Sequence, residues 1–531
     1  MKNPRVVVYG TELLASHVFG LLQRVARACR VELVLEDQID PSEAEGMVTI
    51  VSIDRVQRQF RRSQSPSLTI LLVKPAESYS RIVFTESSRS LSALWHGKIF
   101  LSESPAPMPV QLPAGEILAE NNSRVAWITR SVNGARVDVC VQAEPWLNED
   151  RRLFMHINSR HIMRLLPFME WCRALSDWHT WSKPTSLACL MFDDPNLHAT
   201  HYGYVDFGAI LERARRGGYH VAFATVPADW YYVSPRVAGL FRSNPEHVSL
   251  LVHGLWHTYR ELGQRELPPL DVLNFLMVAE RRHGLSVDRV IAPPQGAFSV
   301  ANCGALVRAG FDGACVSWGS LWNANKDSID FELLGAEPCL VSDNLPIVPR
   351  FGLSPKIENH GVVAAYLNQP MIAVGQHWDL REGIELLDEA AQCLNMVGDV
   401  TWAGLKKIVQ KQVWSRVKGD CLEILPYTRS FNVEIPGDIR RLMIMPAQLQ
   451  GRWRLVGISG RMRGKTVNQD GCEAAFPVEG PGRVTLSMQD GLPQFIIECR
   501  PRLRVWPMMR RLLVECRDRA MPYLPWLAKR R

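Results

Sequence analysis

No C-x-x-C pair and no tight spacing occurs among the twelve cysteines, which counts against a zinc ribbon or a small disulfide scaffold and leaves reduced thiols as the reading. No run of about 18 apolar residues is present, so no membrane-spanning helix is expected. Apolar pieces such as Ile70 to Val73 and Leu250 to Val252 are of strand size. Met1-Lys2-Asn3-Pro4-Arg5 is followed by Val6-Val7-Val8-Tyr9-Gly10, too short for a signal-peptide core and without a small-residue cleavage site; a cytoplasmic protein is expected. No repeat or low-complexity tract interrupts the chain. G-x-G-x-x-G spacing is missing after the first strand at Gly10-Thr11-Glu12, which favours a structural or regulatory N-terminal domain over a cofactor-binding one. Absence of an H-E-x-x-H helix counts against a metal hydrolase of the amidohydrolase or peptidase kind.

Acidic residues are scarce in one place only. From Pro501 to Arg531 nine basic residues stand against Glu515 and Asp518, a surplus equal to the net +7 of the whole chain. The rest is near neutral, so no nucleic-acid partner is expected. The tail mixes Trp506, Met508, Leu512, Leu513, Trp526 and Leu527 with arginines, a composition suited to peripheral contact with an anionic inner membrane. Against this, Pro507, Pro522 and Pro525 are expected to break a helix there; the other reading is a basic tail packed on its own domain.

What is present is an ordinary globular composition, 47% hydrophobic and 22% charged over 531 residues, too long for one core. The expected fold class is α/β: a distorted (β/α) barrel core between an N-terminal α/β domain and a small C-terminal β-rich domain. Residues 1–110 alternate strand-like and helix-like segments, as in parallel βαβ units. Residues 111–184 form a connecting region, in which Asn133-Gly134 marks a hairpin with a type I′ turn. Alternation resumes over 185–415 with seven short buried strands separated by helical segments, the rhythm of a (β/α) barrel, where chemistry collects at the C-terminal strand ends. Residues 426–531 read as short strands with Gly and Pro turns, followed by the basic tail.

Three strand ends in the central region carry unusual polar residues. Phe192-Asp193-Asp194-Pro195 sets two carboxylates side by side after a buried strand, where like charges repel unless a cation or a shared proton relieves them. A turn with Asp as helix cap is the structural alternative. The next motif reads His253-Gly254-Leu255-Trp256-His257; two histidines four apart share a face if the chain turns helical, so both imidazoles reach one ion. Asp194, His253 and His257 are therefore the candidate ligands of a divalent metal, Zn²⁺ first, with Co²⁺, Ni²⁺ or Mn²⁺ also suited to two imidazoles and a carboxylate. Three protein ligands leave positions open for water and substrate.

The order of these motifs resembles that of the NodB-homology polysaccharide deacetylases, carbohydrate esterases with a distorted (β/α) barrel. The resemblance covers about 40% of the chain, residues 185 to 400. It implies Asp193 as catalytic base, Asp194 with His253 and His257 as metal ligands, and His377 of Gln376-His377-Trp378 as general acid. It implies a carbohydrate substrate and removal of an acyl group, most often N-acetyl. The departures are specific: Ala292 stands where the family's P-x-G motif has an arginine, Pro195 where a glycine commonly follows the aspartates, and Gln376 precedes the histidine. Arg350, after another strand, is the candidate substitute for the missing arginine. His198, His201, Tyr202, Trp256, Pro294, Gly296 and Arg350 are the candidate substrate contacts, since aromatic faces stack on sugars and polar tips bond hydroxyls. The missing arginine also keeps open a catalytically weak or inactive glycan-binding or regulatory protein on the same scaffold.

Overall fold

A computed structural model of the chain describes residues 3–10, 16–35, 43–52, 65–85, 91–144, 146–147, 152–176, 180–181, 185–263, 269–326, 333–354, 357–445, 449, 453–460, 474–478, 481–488 and 504–523. The chain divides into two compact units, Met1–Trp181 with Asp330–Glu337, and Ser182–Ile329 with Pro338–Arg531. Of the expected connecting region, 111–184, residues 111–181 thus fall in the first unit.

In that unit the β-branched runs near the start form parallel strands, Arg5–Tyr9, Glu32–Leu35, Gly46–Ser52 and Ser67–Val73. Ser16–Ala28 is the intervening amphipathic helix, with Leu21, Leu22, Val25 and Ala26 fully buried. Arg124–Val132 and Ala135–Ala143 pair antiparallel through Asn133 and Gly134, both at positive φ (50° and 83°), as a type I′ turn requires. The second of these strands adds parallel to Ser67–Val73, so hairpin and βαβ units share one nine-stranded sheet. The Gly10-Thr11-Glu12 turn lies largely outside the described residues.

The second unit is built on the alternation seen at 185–415. Its strands run in the order Leu340–Ser342, Leu345–Val348, Gly313–Cys315, Val287–Ile291, Val248–Val252, Val221–Thr225, Ser186–Asp193, Met371–Gly375 and Phe351–Gly352, with Val400–Trp402 paired to Ser186–Asp193. All neighbours are parallel except the pair of Leu340–Ser342 with Leu345–Val348. The ladder does not close on itself among the described residues; Leu345–Val348 and Phe351–Gly352, near its opposite ends, are joined by Pro349-Arg350. Leu187 to Phe192 are all buried, as a strand covered on both faces must be. Each such Leu or Phe contributes roughly 1.5–3 kcal/mol.

Beyond the sheet, two smaller sheets share one core containing Leu422, Ile424, Phe431, Leu442, Trp453, Phe476, Val484 and Leu486, a sandwich arrangement. Its hairpin Val413–Lys418 and Cys421–Pro426 straddles the expected domain boundary. Residues 489–503, within the stretch expected to carry short strands, lie outside the described residues.

Val505–Ala520 is a 16-residue helix. Pro507 does not break it, contrary to expectation, because it falls in the first turn, where a backbone N–H has no intrahelical partner to lose. Pro522 follows the last turn, and Pro525, Trp526 and Leu527 lie outside the described residues. No helix among the described residues is long and apolar enough to cross a membrane, and all ten described cysteines are free thiols.

Candidate metal centre at the strand ends

Ser186–Asp193 and Val248–Val252 are separated in the sheet only by Val221–Thr225, so their C-terminal ends deliver the Asp pair and the His pair to the same place. Ligand atoms of Asp194, His253 and His257 all lie within 4.8 Å of one another. Asp194 Oδ1 stands 2.9 Å from His257 Nε2 and 3.6 Å from His253 Nε2. That oxygen is buried and makes no hydrogen bond of good geometry, an orphan of the kind a cation satisfies. His253 Nδ1 lies 3.0 Å from the carbonyl of Ala292. A carbonyl only accepts, so Nδ1 carries the proton and Nε2 keeps its lone pair toward Asp194. Burial pushes the His253 pKa down to about 4, so the ring is neutral near pH 7. Burial opposes ionisation of Asp194, but His257, His253 and Arg511 outweigh it and hold the carboxyl well below the usual range. An ionised carboxylate and two imidazoles, one of them held neutral and correctly tautomerised, fit a divalent transition metal.

The two histidines do not converge by a helical turn. His257 has φ 53° and its segment is irregular; Glu261 organises it instead, accepting the backbone N–H groups of Leu255, Trp256 and His257 at 2.9–3.1 Å. Gly254, at φ 69°, is where this carboxylate approaches: a Cβ there would lie 2.4 Å from Glu261 Oε2 and 2.7 Å from Pro294 Cγ. Asp194 is likewise left-handed, at φ 81°, a costly conformation for a non-glycine residue. Consecutive arginines of the 505–520 helix hold the two strained residues. Arg511 Nη2 donates to the Asp194 carbonyl at 3.3 Å, and Arg510 Nη2 donates to the His257 carbonyl.

Asp193 accepts from Arg350 Nη1 at 3.0 Å. The pair is buried, with side-chain exposures of 9% and 7%. Ala292, at the position where an arginine was missing, is also buried and serves through its carbonyl. A cavity of about 600 Å³ is lined by both aspartates, His253, His257 and Arg350, with Gly296, Ser317, Gln376 and Trp378 among its other walls.

The other expected contacts fall elsewhere. His198 pairs with Glu515 at 2.9 Å and with the Asp229 carbonyl at 2.7 Å. Burial would lower its pKa, but these partners raise it overall. Tyr202 is buried and donates to Asp518 at 2.8 Å. His201 is exposed and offers its carbonyl to Arg519. Trp256 is buried against Phe275, ring centroids 5.4 Å apart, and Pro294 backs Gly254. None of these five lines the cavity. His377 does not line it either: the ring is 2% exposed, edge-on to Tyr202 and stacked on Tyr204, with Nε2 3.7 Å from Asp518 Oδ2. That separation is too long for a hydrogen bond.

Sequence reasoning missed Glu261, Asp229 and the helix that carries Arg510, Arg511 and Asp518. Arg511 forms a buried pair with Asp229 at 2.6 Å. Only Glu261 had a local signal, a carboxylate four residues after His257.

No protein-family model and no curated protein matches the chain. Among solved structures it is similar to a 4-α-glucanotransferase from Thermococcus litoralis, at 13% identity and TM-score 0.33 over 42% of this chain and 40% of that one. It is also similar to a family 4 carbohydrate esterase from Streptomyces lividans, at 12% identity and TM-score 0.24 over 42% and 94%. A Streptococcus mutans CE4 esterase matches at 14% identity and TM-score 0.24 over 41% and 85%. At these scores and identities the likenesses identify neither a family nor an activity for this chain.

Proposed function

We propose that this chain is a metal-dependent hydrolase that removes an acyl group, N-acetyl by preference, from a glycan or glycan precursor. One observation carries the reading: an Asp–His–His ligand set stands beside a second, arginine-paired carboxylate in a polar cavity. A divalent ion held by Asp194, His253 and His257 would supply Lewis acidity, polarising a carbonyl and acidifying water. Asp193 is the base that takes the water proton, and Arg350, donating to it at 3.0 Å, fixes where its carboxylate stands. Arg350 thereby does the work expected of an arginine at position 292. Ser317, Gln376 and Trp378 offer the polar and aromatic wall that sugar hydroxyls and rings need. His377 does not line the cavity, so protonation of the leaving group is not assigned to it.

Asp193→Asn should keep the metal and lose acetate release from acetylated sugars, whereas His253→Ala should lose both. Full activity in purified Asp193→Asn would remove the base and the mechanism with it. Burial of His377 and Ala292 in place of the arginine favour a second reading, a glycan-binding protein with little or no turnover; a metal-loaded protein that binds sugars but releases no acetate from any of the panel would select it.

A further inference from the structure

The 505–520 helix is amphipathic in the inverted sense: its charged face is buried and its apolar face is turned to water. Arg511 and Asp518 are 4% and 3% exposed. Arg511 pairs with Asp229; Asp518 accepts from Tyr202 and pairs with Arg517; Glu515 pairs with His198 and Arg519. On the opposite face Val505, Trp506, Met509, Leu512 and Leu513 are 75%, 75%, 50%, 40% and 65% exposed, and Cys516 continues the stripe. The spacing i, i+4, i+7, i+8 gathers these onto one side. Such a stripe normally faces a core, and this one faces solvent.

The stripe is not isolated. The helix packs against Pro227–Tyr231, beside which Tyr231 and Tyr232 are 39% and 48% exposed. Arg510 reaches the carbonyl of His257, two residues before Tyr259, which is 77% exposed. Exposed apolar and aromatic side chains therefore occur on the helix and within two residues of two segments that it contacts.

We infer that this face docks on the surface of an anionic lipid bilayer. Charge decides between occupants. Both acidic residues of the helix are turned inward and paired, whereas Arg504 is exposed, and Arg510 and Arg517, although engaged with the His257 carbonyl and with Asp518, stay half-buried along the border of the stripe. The outward charge is cationic only, and the sequence beyond adds Lys529, Arg530 and Arg531. An apolar stripe edged by arginines, with Trp506 at one end and Tyr523 (75% exposed) just past the other, matches the layering of a bilayer interface, where rings sit at headgroup level and cations meet phosphate. A second copy of the same cationic face would bring like charges together. This inference goes beyond the deacetylase reading and does not depend on it.

The test is flotation of the full chain with vesicles of phosphatidylcholine alone and of equal parts phosphatidylcholine and phosphatidylglycerol. Wild type should float with the anionic vesicles and be released as salt is raised. Trp506→Glu/Leu513→Glu, both positions being exposed, should reduce the floated fraction at least tenfold while leaving the circular-dichroism melt unchanged. Equal flotation of wild type and variant, or no flotation of wild type, overturns the inference. So does a wild-type dimer in gel filtration that the variant dissolves, since a second copy would then occupy the face. Should the variant melt early, Leu512→Ser/Leu513→Ser replaces it, and an undiminished floated fraction in that variant counts equally against lipid docking.

Discussion

Replacing Arg350 by Met leaves Asp193 buried and without its guanidinium partner. Both side chains are under 10% exposed, so the figure that applies is the cost of breaking a buried pair, about 3–5 kcal/mol, and not the 0–1 kcal/mol typical of surface pairs. Asp193→Asn strands Arg350 in the same way and should cost a similar amount. The double variant puts two neutral side chains in the space and should regain most of either loss, because removal of both charges of a buried pair is often close to neutral. The assay is urea unfolding followed by tryptophan fluorescence, in chelator so that a bound ion does not substitute for the arginine. Two compact units need not unfold together, so the informative quantity is the coupling between single and double variants within the transition that all three move. Additive losses, or a loss below about 0.5 kcal/mol for Arg350→Met, as at an ordinary surface site, would show that the pair does not hold Asp193 in place.

Three further outcomes are expected. Glu261→Ala removes no ligand but frees three backbone N–H groups of the His257 segment, and should weaken metal binding by about 10–100-fold, the usual effect of losing a group that orients a ligand; unchanged calorimetric affinity would exclude that role. Arg511→Ala leaves the Asp229 carboxylate buried without its cation, at a cost of about 3–5 kcal/mol, which should appear as accelerated proteolysis within residues 504–523; a wild-type cleavage rate would contradict it. His220, buried with Nδ1 near the Glu246 carbonyl and Nε2 near Ser249 Oγ, has its pKa pushed by burial from 6.5 to about 4. Between those values the unfolded chain binds a proton that the folded chain refuses, so stability rises with pH across this window. His220→Gln should flatten that rise, and a slope identical to wild type would assign the dependence to other groups.

Much of the central sheet is legible in the chain because its strands are short apolar runs ended by residues that do not belong in a core. Asp193-Asp194 and His253 stand out for that reason. Convergence of the histidine pair was readable as well, but not its cause: four-residue spacing suggests a helical turn, whereas the hydrogen bonds of Glu261 and the freedom of Gly254 shape an irregular loop. Arg350 could be nominated from its place after a strand, yet its distance from Asp193 is a tertiary fact. Arg511 and Asp518 were beyond reach, because their partners Asp229 and Tyr202 lie 282 and 316 residues away and prolines nearby argued against a helix at all. Pro507 shows that position within a helix, and not presence alone, decides whether proline interrupts it.

The two carbonyl grips of Arg510 and Arg511 span 253 and 317 residues of chain. A ribosome that has translated only as far as the sandwich has already released both histidines and both aspartates, yet the carbonyls of Asp194 and His257 still lack these two donors, and the N–H bonds to Ala224 and Glu261 are what restrain the backbone there. The last two contacts on the centre's backbone therefore form only when the arginines of the helix have emerged and docked, and a prematurely terminated product would carry every ligand in its sequence without those two contacts.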